Sequence, residues 1–375
     1  MTARIIPEQE FVESSVRLML GSNPAGFARG EAAMLRALKG SSASAVAILP
    51  TGSRHTLSRD GSRLKSPRPE VLSPRALAAI EDIDAFQPRF SYIVDMWDRR
   101  IRSTSDGAEP PFPVFSFNRI TGEPGRVLWP LAGFHDAGSR GFLGHLDPGR
   151  VSWEDKLPKV VWRGGTGGRT IGSSPGRGEG MRLISALRRY QAGTLGRRKL
   201  ERVICGTHRW QVLDRVKDDP RFDLGFVDSA DYIISETPLH QHLERPRLTP
   251  EEMQRFRYIA VLRGNDVGSS FYWTMNSGSV GLVQDTPYET FASGHFRPWE
   301  HYIPFAEDGS DLPARLDWAE SHLQECRAMV RRAAAVCAFL DRPDLRAAVL
   351  GGVIRRVGER MHATPAWRVN PPQRP

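Results

Sequence analysis

The sequence predicts an α/β fold with two domains, and three observations support this prediction. The chain has 375 residues, which is more than one hydrophobic core usually organises. Two short β-branched runs, Tyr258–Leu262 and Val280–Val283, flank a polar Gly- and Ser-rich turn and a short helical segment. A third run, Lys159–Trp162, precedes another Gly-rich stretch. Strand, loop, helix and strand in this order form an α/β crossover, in which loops after the carboxyl ends of the strands carry ligand sites.

The first third of the chain predicts short helices and strands. Apolar residues at i, i+3 and i+4 spacing indicate helices, and Ser73 followed by Pro74 is typical of a helix start. Residues 132–158 are rich in Gly, Pro and His, which indicates exposed loops between domains. We therefore predict one domain over 1–152 and another over 153–342. Helices are predicted at Phe11–Leu20, Glu31–Leu38 and Ser73–Ile83, and strands at Val46–Leu49, Phe90–Val94, Pro113–Phe117 and Val127–Leu131.

Two acids follow the run Phe90–Val94. Asp95 and Asp98 lie at the carboxyl end of a predicted strand, where an α/β enzyme places a general base that faces a cleft. The alternative is a solvated turn or an ion pair with Arg99 or Arg100. The residues alone leave both interpretations open.

The Gly-rich stretch after Trp162 has the composition of a phosphate-binding loop. Its backbone N–H groups can approach a phosphate closely, and Arg163 and Arg169 add charged donors. The Gly-Lys-Ser/Thr ending of a Walker A loop is missing, and a flexible loop without a ligand is the alternative. The turn Gly264–Ser270 precedes a short helix, where backbone N–H groups and the helix dipole favour an anion.

The rest of the chain predicts further helices and strands. The apolar positions from Asp311 to Leu340 fall on one helix face, and Pro343 begins another helix that ends near Met361. The Pro- and Arg-rich tail 364–375 predicts disorder. The other elements are a basic amphipathic helix over 181–198, strands at Val203–Cys205 and Leu224–Val227, and a helix start at Thr249–Pro250.

The composition narrows the class of protein. The formal net charge is +9, but the excess is scattered Arg without the Lys/Arg blocks and interleaved aromatics of a nucleic-acid binder, so we predict no nucleic-acid partner. No apolar run approaches the ~20 residues that span a bilayer, and the first residues lack an apolar signal core, which predicts a cytoplasmic protein. Cys205, Cys326 and Cys337 have no metal-binding spacing and are predicted as reduced core thiols.

Several motifs, taken together and in this order, resemble glycosyltransferase family 90. This family includes protein O-glucosyltransferases, capsule-associated xylosyltransferases and bacterial lipopolysaccharide-modifying enzymes, and the Gly264-Asn265-Asp266 core is most similar to the bacterial branch. The spaced Pro-Trp and His-Tyr pairs at 298–302 are the most specific part. The motifs are PVFSFNR at 113–119, VVWRGGTGGRT at 160–170, RYIAVLRGNDVGSS at 257–270, SGSVGLVQ at 277–284 and FRPWEHYIPF at 296–305.

The resemblance implies a fold and a reaction. The fold would be of the GT-B type, with two Rossmann-like domains, a cleft between them, and a C-terminal helix at 343–363 that crosses back to the first domain. The reaction would be inverting transfer of a hexose or pentose from a UDP-sugar to a hydroxyl of a glycan or lipopolysaccharide-type acceptor. Members are usually metal-independent, so we expect no metal site and no cofactor.

The resemblance also implies roles for individual residues. It identifies Asp98 as the catalytic base, with Asp95 as the alternative, because the family base is an Asp shortly before the PVFSF-like motif. Eukaryotic members hold the donor diphosphate with an Arg where this chain has Ser270. Pocket-shaping roles fall on Trp299, His301 and Tyr302. The residues predicted to bind the donor are Arg163, Gly164, Thr166, Arg169, Asn265, Asp266, Gly268, Ser269 and Ser270.

Two other functions remain open at this point. The departure at Ser270 also fits a nucleotide-sugar-binding protein that has lost catalysis. The positive charge also fits peripheral contact with an anionic membrane, which for a lipopolysaccharide-modifying enzyme would be the inner membrane face.

Overall fold

The structure is a computed structural model and describes residues 7–21, 26–58, 60–67, 72–98, 111–136, 139, 141–144, 146–171, 181–227 and 243–363. Contacts group the chain into two compact units. The first comprises Met1–Asp136, Pro287–His295 and Arg342–Pro375, and the second comprises Ala137–Thr286 and Phe296–Asp341. The predicted boundary at residue 152 thus falls inside the second unit. The tail 364–375, for which the sequence predicts disorder, lies outside the described residues.

The helices and strands predicted up to residue 136 are present near their predicted positions, and three further short strands, Arg54–Leu57, Leu64–Lys65 and Asn118–Ile120, were not predicted. The Ser73 hydroxyl accepts a hydrogen bond from the Ala76 backbone N–H at 3.1 Å, and this cap confirms the predicted helix start. These elements are α1 (Glu8–Leu20), α2 (Glu31–Lys39), β1 (Val46–Ile48), β2 (Arg54–Leu57), β3 (Leu64–Lys65), α3 (Pro74–Asp84), β4 (Tyr92–Val94), β5 (Val114–Ser116), β6 (Asn118–Ile120) and β7 (Arg126–Leu128).

The elements from residue 146 onward comprise both strands and helices. The capping box that Thr249 and Glu252 form confirms the helix start predicted there. These elements are β8 (Leu157–Gly164), α4 (Leu183–Gln191), α5 (Arg197–Cys205), α6 (His208–Val216), β9 (Phe222–Phe226), α7 (Pro250–Met253), β10 (Phe256–Val261), α8 (Phe271–Met275), β11 (Val280–Gln284), β12 (Tyr288–Thr290), β13 (Ile303–Phe305), α9 (Leu312–Ser321), α10 (Leu323–Leu340) and α11 (Pro343–Ala363).

The first unit contains a mixed sheet with the strand order β3-β2-β1-β4-β5-β7. Strands β4, β5 and β7 are parallel, whereas β1 is antiparallel to both of its neighbours and β2 to β3. The antiparallel strands β1 and β2 are joined by a tight turn in which the Gly52 N–H donates to the Leu49 carbonyl. The predicted Rossmann-like character is therefore limited to the parallel half of this sheet. A small second sheet pairs β6 with β12.

Helix α11 packs against α1 within the first unit. The approach is close, because a Cβ placed on Gly352 would lie 2.8 Å from Cγ2 of Val16. At the amino-terminal half of α11, Arg346 donates from Nη1 to the His135 carbonyl at 2.8 Å. The helix predicted for this part of the chain is thus present, and its contacts group it with the first unit.

The second unit contains a five-stranded sheet in which every pair of neighbours is parallel, and this confirms the α/β fold class. The strand order is β13-β11-β10-β8-β9. The chain runs from β8 to β9 on one side and then steps to β10 on the other side of β8. This is the order of a doubly wound sheet, with its topological switch point between β8 and β10.

Both faces of this sheet are covered, as expected for parallel strands. One face buries Val160 and Tyr258 against helices α4, α5 and α6, and the other face buries Val161 and Ile259 with Trp273 of α8. Within the part of the chain that the structure describes, no helix combines the length and apolar character needed to cross a membrane.

Several predicted elements of the second unit were wrong. The apolar run at Val203–Cys205 is the end of helix α5 and not a strand, and Cys205 is exposed there instead of lying in the core. The single helix predicted from Asp311 to Leu340 is divided at His322 into α9 and α10. The basic helix predicted over 181–198 is α4 followed by the start of α5.

The segment predicted as an exposed linker contributes to the second core. Phe142 is fully buried and packs edge-on against Tyr272 at 5.0 Å between ring centroids. Leu146 is buried beside Trp273. The Gly and Pro content of this segment therefore reflects tight turns around buried apolar side chains.

Candidate functional site

The candidate site lies at the switch point between β8 and β10 of the second unit. Loops after these two strands emerge at the same carboxyl edge, since the strands are parallel neighbours. In doubly wound sheets the ligand crevice forms at this place, because the crossover helices leave in opposite directions. The loops are the described residues 165–171 and residues 262–270, which include most of the predicted donor-binding residues.

Direct contacts bring the two loops together. A Cβ on Gly168 would lie 3.6 Å from the Gly264 carbonyl oxygen. Arg209 of α6 spans both loops, because it donates from Nη1 to the Gly165 carbonyl at 2.7 Å and from Nε to the Arg263 carbonyl at 3.2 Å. The two loops that the sequence analysis predicts as phosphate-binding are thus in contact. Arg209, which the sequence analysis did not identify, lies beside both of them.

Two glycines are required by the shape of the loops. A Cβ on Gly164 would lie 2.4 Å from the Trp162 ring, and a Cβ on Gly268 would lie 2.6 Å from Cγ1 of Val261. Real Cβ atoms do not approach other atoms this closely. Both predicted glycines therefore act by allowing the backbone to fold tightly against the strand ends.

The two predicted arginines face different surroundings. The Arg163 guanidinium donates to both carboxylate oxygens of Asp223 on β9, at 2.8 and 3.0 Å, and to the Pro246 carbonyl. It therefore braces β8 against β9. Arg169 is buried at the base of the loop, where its carbonyl accepts a hydrogen bond from the His208 N–H that begins α6. Thr166 is also buried in this loop.

The loop after β10 carries the polar groups predicted for sugar or ribose hydroxyls. The Asn265 side-chain oxygen accepts from Arg182 Nε at 3.3 Å, and Asp266 accepts from the Val267 N–H at 2.7 Å. Ser269 is exposed, and Ser270 precedes α8 without a side-chain cap. Because α8 has only five residues, the predicted helix-dipole contribution to anion binding is small.

The carboxyl ends of β10, β11 and β13 are tied together by a polar network. Gln284 accepts from the Arg263 N–H at 2.9 Å and donates to the Glu307 carbonyl at 2.5 Å. Arg263 also forms an ion pair with Glu307 at 2.8 Å. His208 lies 3.5 Å from the same carboxylate, but burial, with Arg263 nearby, lowers its pKa to about 3, so the imidazole is neutral at physiological pH.

Sequence reasoning missed Arg209, Arg263, Gln284 and His208. Two of them have a visible signal, since Arg263 and Gln284 are polar residues placed directly at the ends of apolar strands. His208 and Arg209 lie far along the chain from the loops that they contact, and no local pattern indicates those contacts.

The predicted pocket-shaping residues form an aromatic turn before β13. Trp299 has a left-handed backbone with φ of 63°, and its N–H donates to the Tyr302 carbonyl at 2.7 Å. His301 is buried and accepts at Nδ1 from the Arg297 N–H at 3.0 Å, and burial lowers its pKa. Burial, with Asp285 nearby, raises the pKa of Tyr302 to about 12. The turn is therefore held in place by its own backbone and side-chain hydrogen bonds.

The two candidate bases, Asp95 and Asp98, lie in the first unit and differ in burial and in hydrogen bonding. Asp95 is fully buried and accepts from the Ser42 hydroxyl at 2.5 Å, the Ser42 N–H and Arg126 Nη1. Its oxygens are thus committed to holding β4 against neighbouring segments. The Asp98 side chain is 33% exposed and pairs with Arg75, itself 50% exposed, at 2.7 Å. An exposed pair of this kind opens at little cost.

One family model matches part of the candidate site. The family model for glycosyl transferase family 90 matches residues 231–340, which include the loop after β10, α8, β11 and the aromatic turn. Residues 231–340 thus resemble glycosyl transferase family 90. The segment that this model matches, called the family 90 segment below, supplies one side of the candidate site, and the loop after β8 supplies the other.

Curated proteins similar to this chain include glycosyltransferases. An O-glucosyltransferase LpsA of Dichelobacter nodosus is 25% identical over 138 residues, which are 36% of this chain and 41% of that protein. Human protein O-glucosyltransferase 3 is 24% identical over 114 residues, 30% of this chain and 22% of that protein. An uncharacterized protein 027R of frog virus 3 is 27% identical over 180 residues, 47% of this chain and 17% of that protein. The matches span less than half of each of these relatives, and two of the three are named as O-glucosyltransferases.

Proposed function

We propose that the chain is an inverting, metal-independent glycosyltransferase of the GT-B type that uses a UDP-sugar. The donor would bind at the switch point of the second unit, and the acceptor would be a hydroxyl of a glycan or lipopolysaccharide-type molecule. The observation that carries this proposal is the contact between two Gly-rich loops at the switch point, one of them inside the family 90 segment. The relative named O-glucosyltransferase LpsA supports transfer of a sugar to a hydroxyl oxygen.

Arg209 supports a diphosphate at this place. Its partly exposed guanidinium lies beside both loops, and a Cβ on Gly264 would lie only 3.1 Å from Nη2. The departing UDP carries negative charge, which fixed donors and a nearby cation stabilise in the transition state. Arg209 therefore offers the charge that eukaryotic members supply from the position of Ser270. Arg163, which is bound to Asp223, fits a supporting role instead.

Asp98 suits the base better than Asp95. An inverting transfer needs a carboxylate that takes the proton of the attacking hydroxyl, and that carboxylate has to reach the acceptor. Asp98 is accessible and has an exposed arginine as its partner. Asp95 is fully buried and committed to Ser42 and Arg126.

The test is release of UDP from a panel of UDP-glucose, UDP-galactose and UDP-xylose, with a glycan acceptor mixture and a chelator. We expect turnover with one sugar, no effect of the chelator, and a loss of roughly 10²- to 10⁴-fold in Asp98→Asn. The matched control is Asp344→Asn, which removes another exposed carboxylate of the first unit that pairs with an arginine. Full activity of Asp98→Asn would reject this residue as the base.

The same assay distinguishes an enzyme from an inactive nucleotide-sugar-binding protein. The specific observation that favours the inactive alternative is the replacement of the family arginine by Ser270. Binding of UDP-sugars without release of UDP under every acceptor condition would support that alternative.

The proposal includes peripheral contact with an anionic membrane. The chain has a net charge of +9, and basic residues near an anionic surface each contribute about 1 kcal/mol at moderate salt. Sedimentation with vesicles containing an anionic lipid tests this, and binding should weaken as salt rises. Equal recovery with neutral and anionic vesicles would remove membrane contact from the proposal.

A further inference from the structure

Asp285 occupies a distinctive place in the second unit. It directly follows β11, which is the neighbour of β10 in the sheet. Strand β10, the loop Gly264–Ser270, helix α8 and strand β11 form one βαβ unit, and Asp285 lies about 20 residues after Gly264. In mononucleotide-binding units an acid at this place hydrogen-bonds the ribose hydroxyls of the ligand, while the Gly-rich loop holds the phosphates.

Contacts on both sides of Asp285 fix it beside the loop after β10. Its own N–H donates to the Phe305 carbonyl at 2.8 Å. The preceding residue, Gln284, accepts from the Arg263 N–H, and the following residue, Thr286, donates from its hydroxyl to the Asp266 carbonyl at 3.3 Å. Asp285 therefore lies at the carboxyl edge of the sheet, next to the predicted ribose- and sugar-binding residues.

The Asp285 carboxylate retains its capacity to accept hydrogen bonds. Among residues 7–363 that the structure describes, no side chain or backbone N–H donates to it. The nearby Asp311 is already satisfied, since it accepts from the Ala306 N–H at 2.8 Å and from Arg315 Nε at 2.9 Å. Partial burial, and then Asp311, raise the pKa of the Asp285 carboxyl, so neutral hydroxyl donors would stabilise its ionised form.

We propose that Asp285 accepts hydrogen bonds from the vicinal hydroxyls of the donor ribose and thereby selects ribonucleotides over 2′-deoxyribonucleotides. This inference rests on the proposed function, because it assumes that a nucleotide occupies the switch-point crevice. Neither the resemblance to the family nor the sequence analysis indicated Asp285 as a binding residue or predicted selectivity for ribonucleotides.

The experiment compares UDP with 2′-deoxy-UDP by titration calorimetry on the full chain. A hydrogen bond to a charged group corresponds to roughly a 10- to 100-fold difference in affinity, so wild type should bind UDP that much more tightly. In Asp285→Ala the two ligands should bind with nearly equal affinity, and Asp285→Asn should lie between. Asp317→Asn, which removes an exposed acid of α9, is the matched control and should keep the wild-type ratio.

The outcomes separate this inference from the proposed function. A wild-type protein that binds UDP and 2′-deoxy-UDP equally, or an Asp285→Ala variant with an unchanged ratio, overturns the role of Asp285 and leaves the proposed function intact. Weaker binding of UDP-glucose but not of UDP in Asp285→Ala assigns the carboxylate to the sugar and also overturns it. A wild-type protein that binds neither nucleotide contradicts the proposed function, and the inference with it.

Discussion

Arg209 illustrates how one side chain can organise the candidate site. Its guanidinium joins the loops after β8 and β10 through the Gly165 and Arg263 carbonyls, and its Cζ lies 5.4 Å from the centroid of the Trp162 ring. These contacts hold the guanidinium beside the place proposed for the diphosphate. A fixed cation of this kind should contribute strongly to nucleotide affinity.

We predict that Arg209→Gln weakens UDP binding by about 10-fold or more, since it removes the charge and one loop contact. Arg209→Lys should recover part of the affinity, because an ammonium supplies charge without the fork that reaches both carbonyls. Titration calorimetry with UDP measures both. The control is Arg198→Gln, which changes an exposed arginine of α5 and should keep the wild-type affinity for UDP. Wild-type affinity in Arg209→Gln would contradict the proposed role of Arg209 in binding the diphosphate.

The structural surroundings of the candidate donor-binding residues were only partly predictable from the sequence. Gly164 and Gly268 follow from local chemistry, because a strand followed by a tight turn requires them. Arg163 was assigned to the ligand because it adjoins the loop, yet its guanidinium reaches Asp223 on the neighbouring strand. Arg209 was not predicted, since its contacts join residues that are distant in sequence.

At the scale of elements, α11 carries glycines where a helix normally avoids them. Gly351 and Gly352 lie in the middle of this helix, where each glycine costs roughly 1 kcal/mol relative to alanine. The two positions differ in their surroundings. A Cβ on Gly352 would lie 2.8 Å from Val16 on α1, whereas a Cβ on Gly351 would lie 3.4 Å from Phe86.

We therefore predict opposite effects for two neighbouring substitutions. Gly351→Ala should stabilise the first unit by up to about 1 kcal/mol, because it gains helix propensity in ordinary contact with Phe86. Gly352→Ala should destabilise it by roughly 1–3 kcal/mol, because the added methyl group forces α1 and α11 apart. Urea unfolding followed by circular dichroism measures both changes in the free energy of unfolding. Equal stabilisation by the two substitutions would contradict the prediction, because it would show that α1 moves away from the added methyl group without loss of stability.

Helix-capping residues predicted the starts of helices correctly, whereas a short apolar run did not distinguish a strand from a helix. Helix α3 and the capping box at Thr249 were predictable because the residues that satisfy the helix end are adjacent in sequence. The run Val203–Cys205 has the length and composition of a strand, but it continues the amphipathic pattern of α5. Three residues do not distinguish a period of 2 from a period of 3.6.

For the whole molecule, the sequence predicted an α/β chain with two parts but not how segments are shared between them. The first unit takes in Pro287–His295 from the middle of the family 90 segment. Strand β12 in this excursion pairs with β6, and Arg119 of β6 forms an ion pair with Glu289 at 2.6 Å. Such long-range pairing leaves no periodic signal, so a boundary drawn from composition could not include it.

Each unit also encloses a histidine that is neutral in the folded state. Burial, with Arg346 nearby, lowers the pKa of His135 in the first unit to about 3, and the pKa of His208 in the second is also about 3. In the unfolded chain each pKa is about 6.5. Between pH 3 and pH 6.5 the unfolded state binds more protons than the folded state. The free energy of unfolding therefore decreases as the pH falls from 6.5 toward 3.

We predict that acid lowers the stability of both units at the same time. Between pH 6.5 and 5 each histidine should cost roughly 2 kcal/mol of the free energy of unfolding, which is a fall of about 4–8 °C in unfolding temperature. His135→Gln retains an acceptor for the Leu131 N–H, which His135 Nδ1 binds at 2.9 Å, and should lessen this fall. Calorimetry from pH 7.5 to 5 measures it, with the exposed His362→Gln as control. If the unfolding temperature of His135→Gln falls with pH as steeply as that of the wild type, carboxylates and not His135 cause the loss of stability in acid. A smaller fall in the variant assigns the loss to protonation of His135 in the unfolded chain.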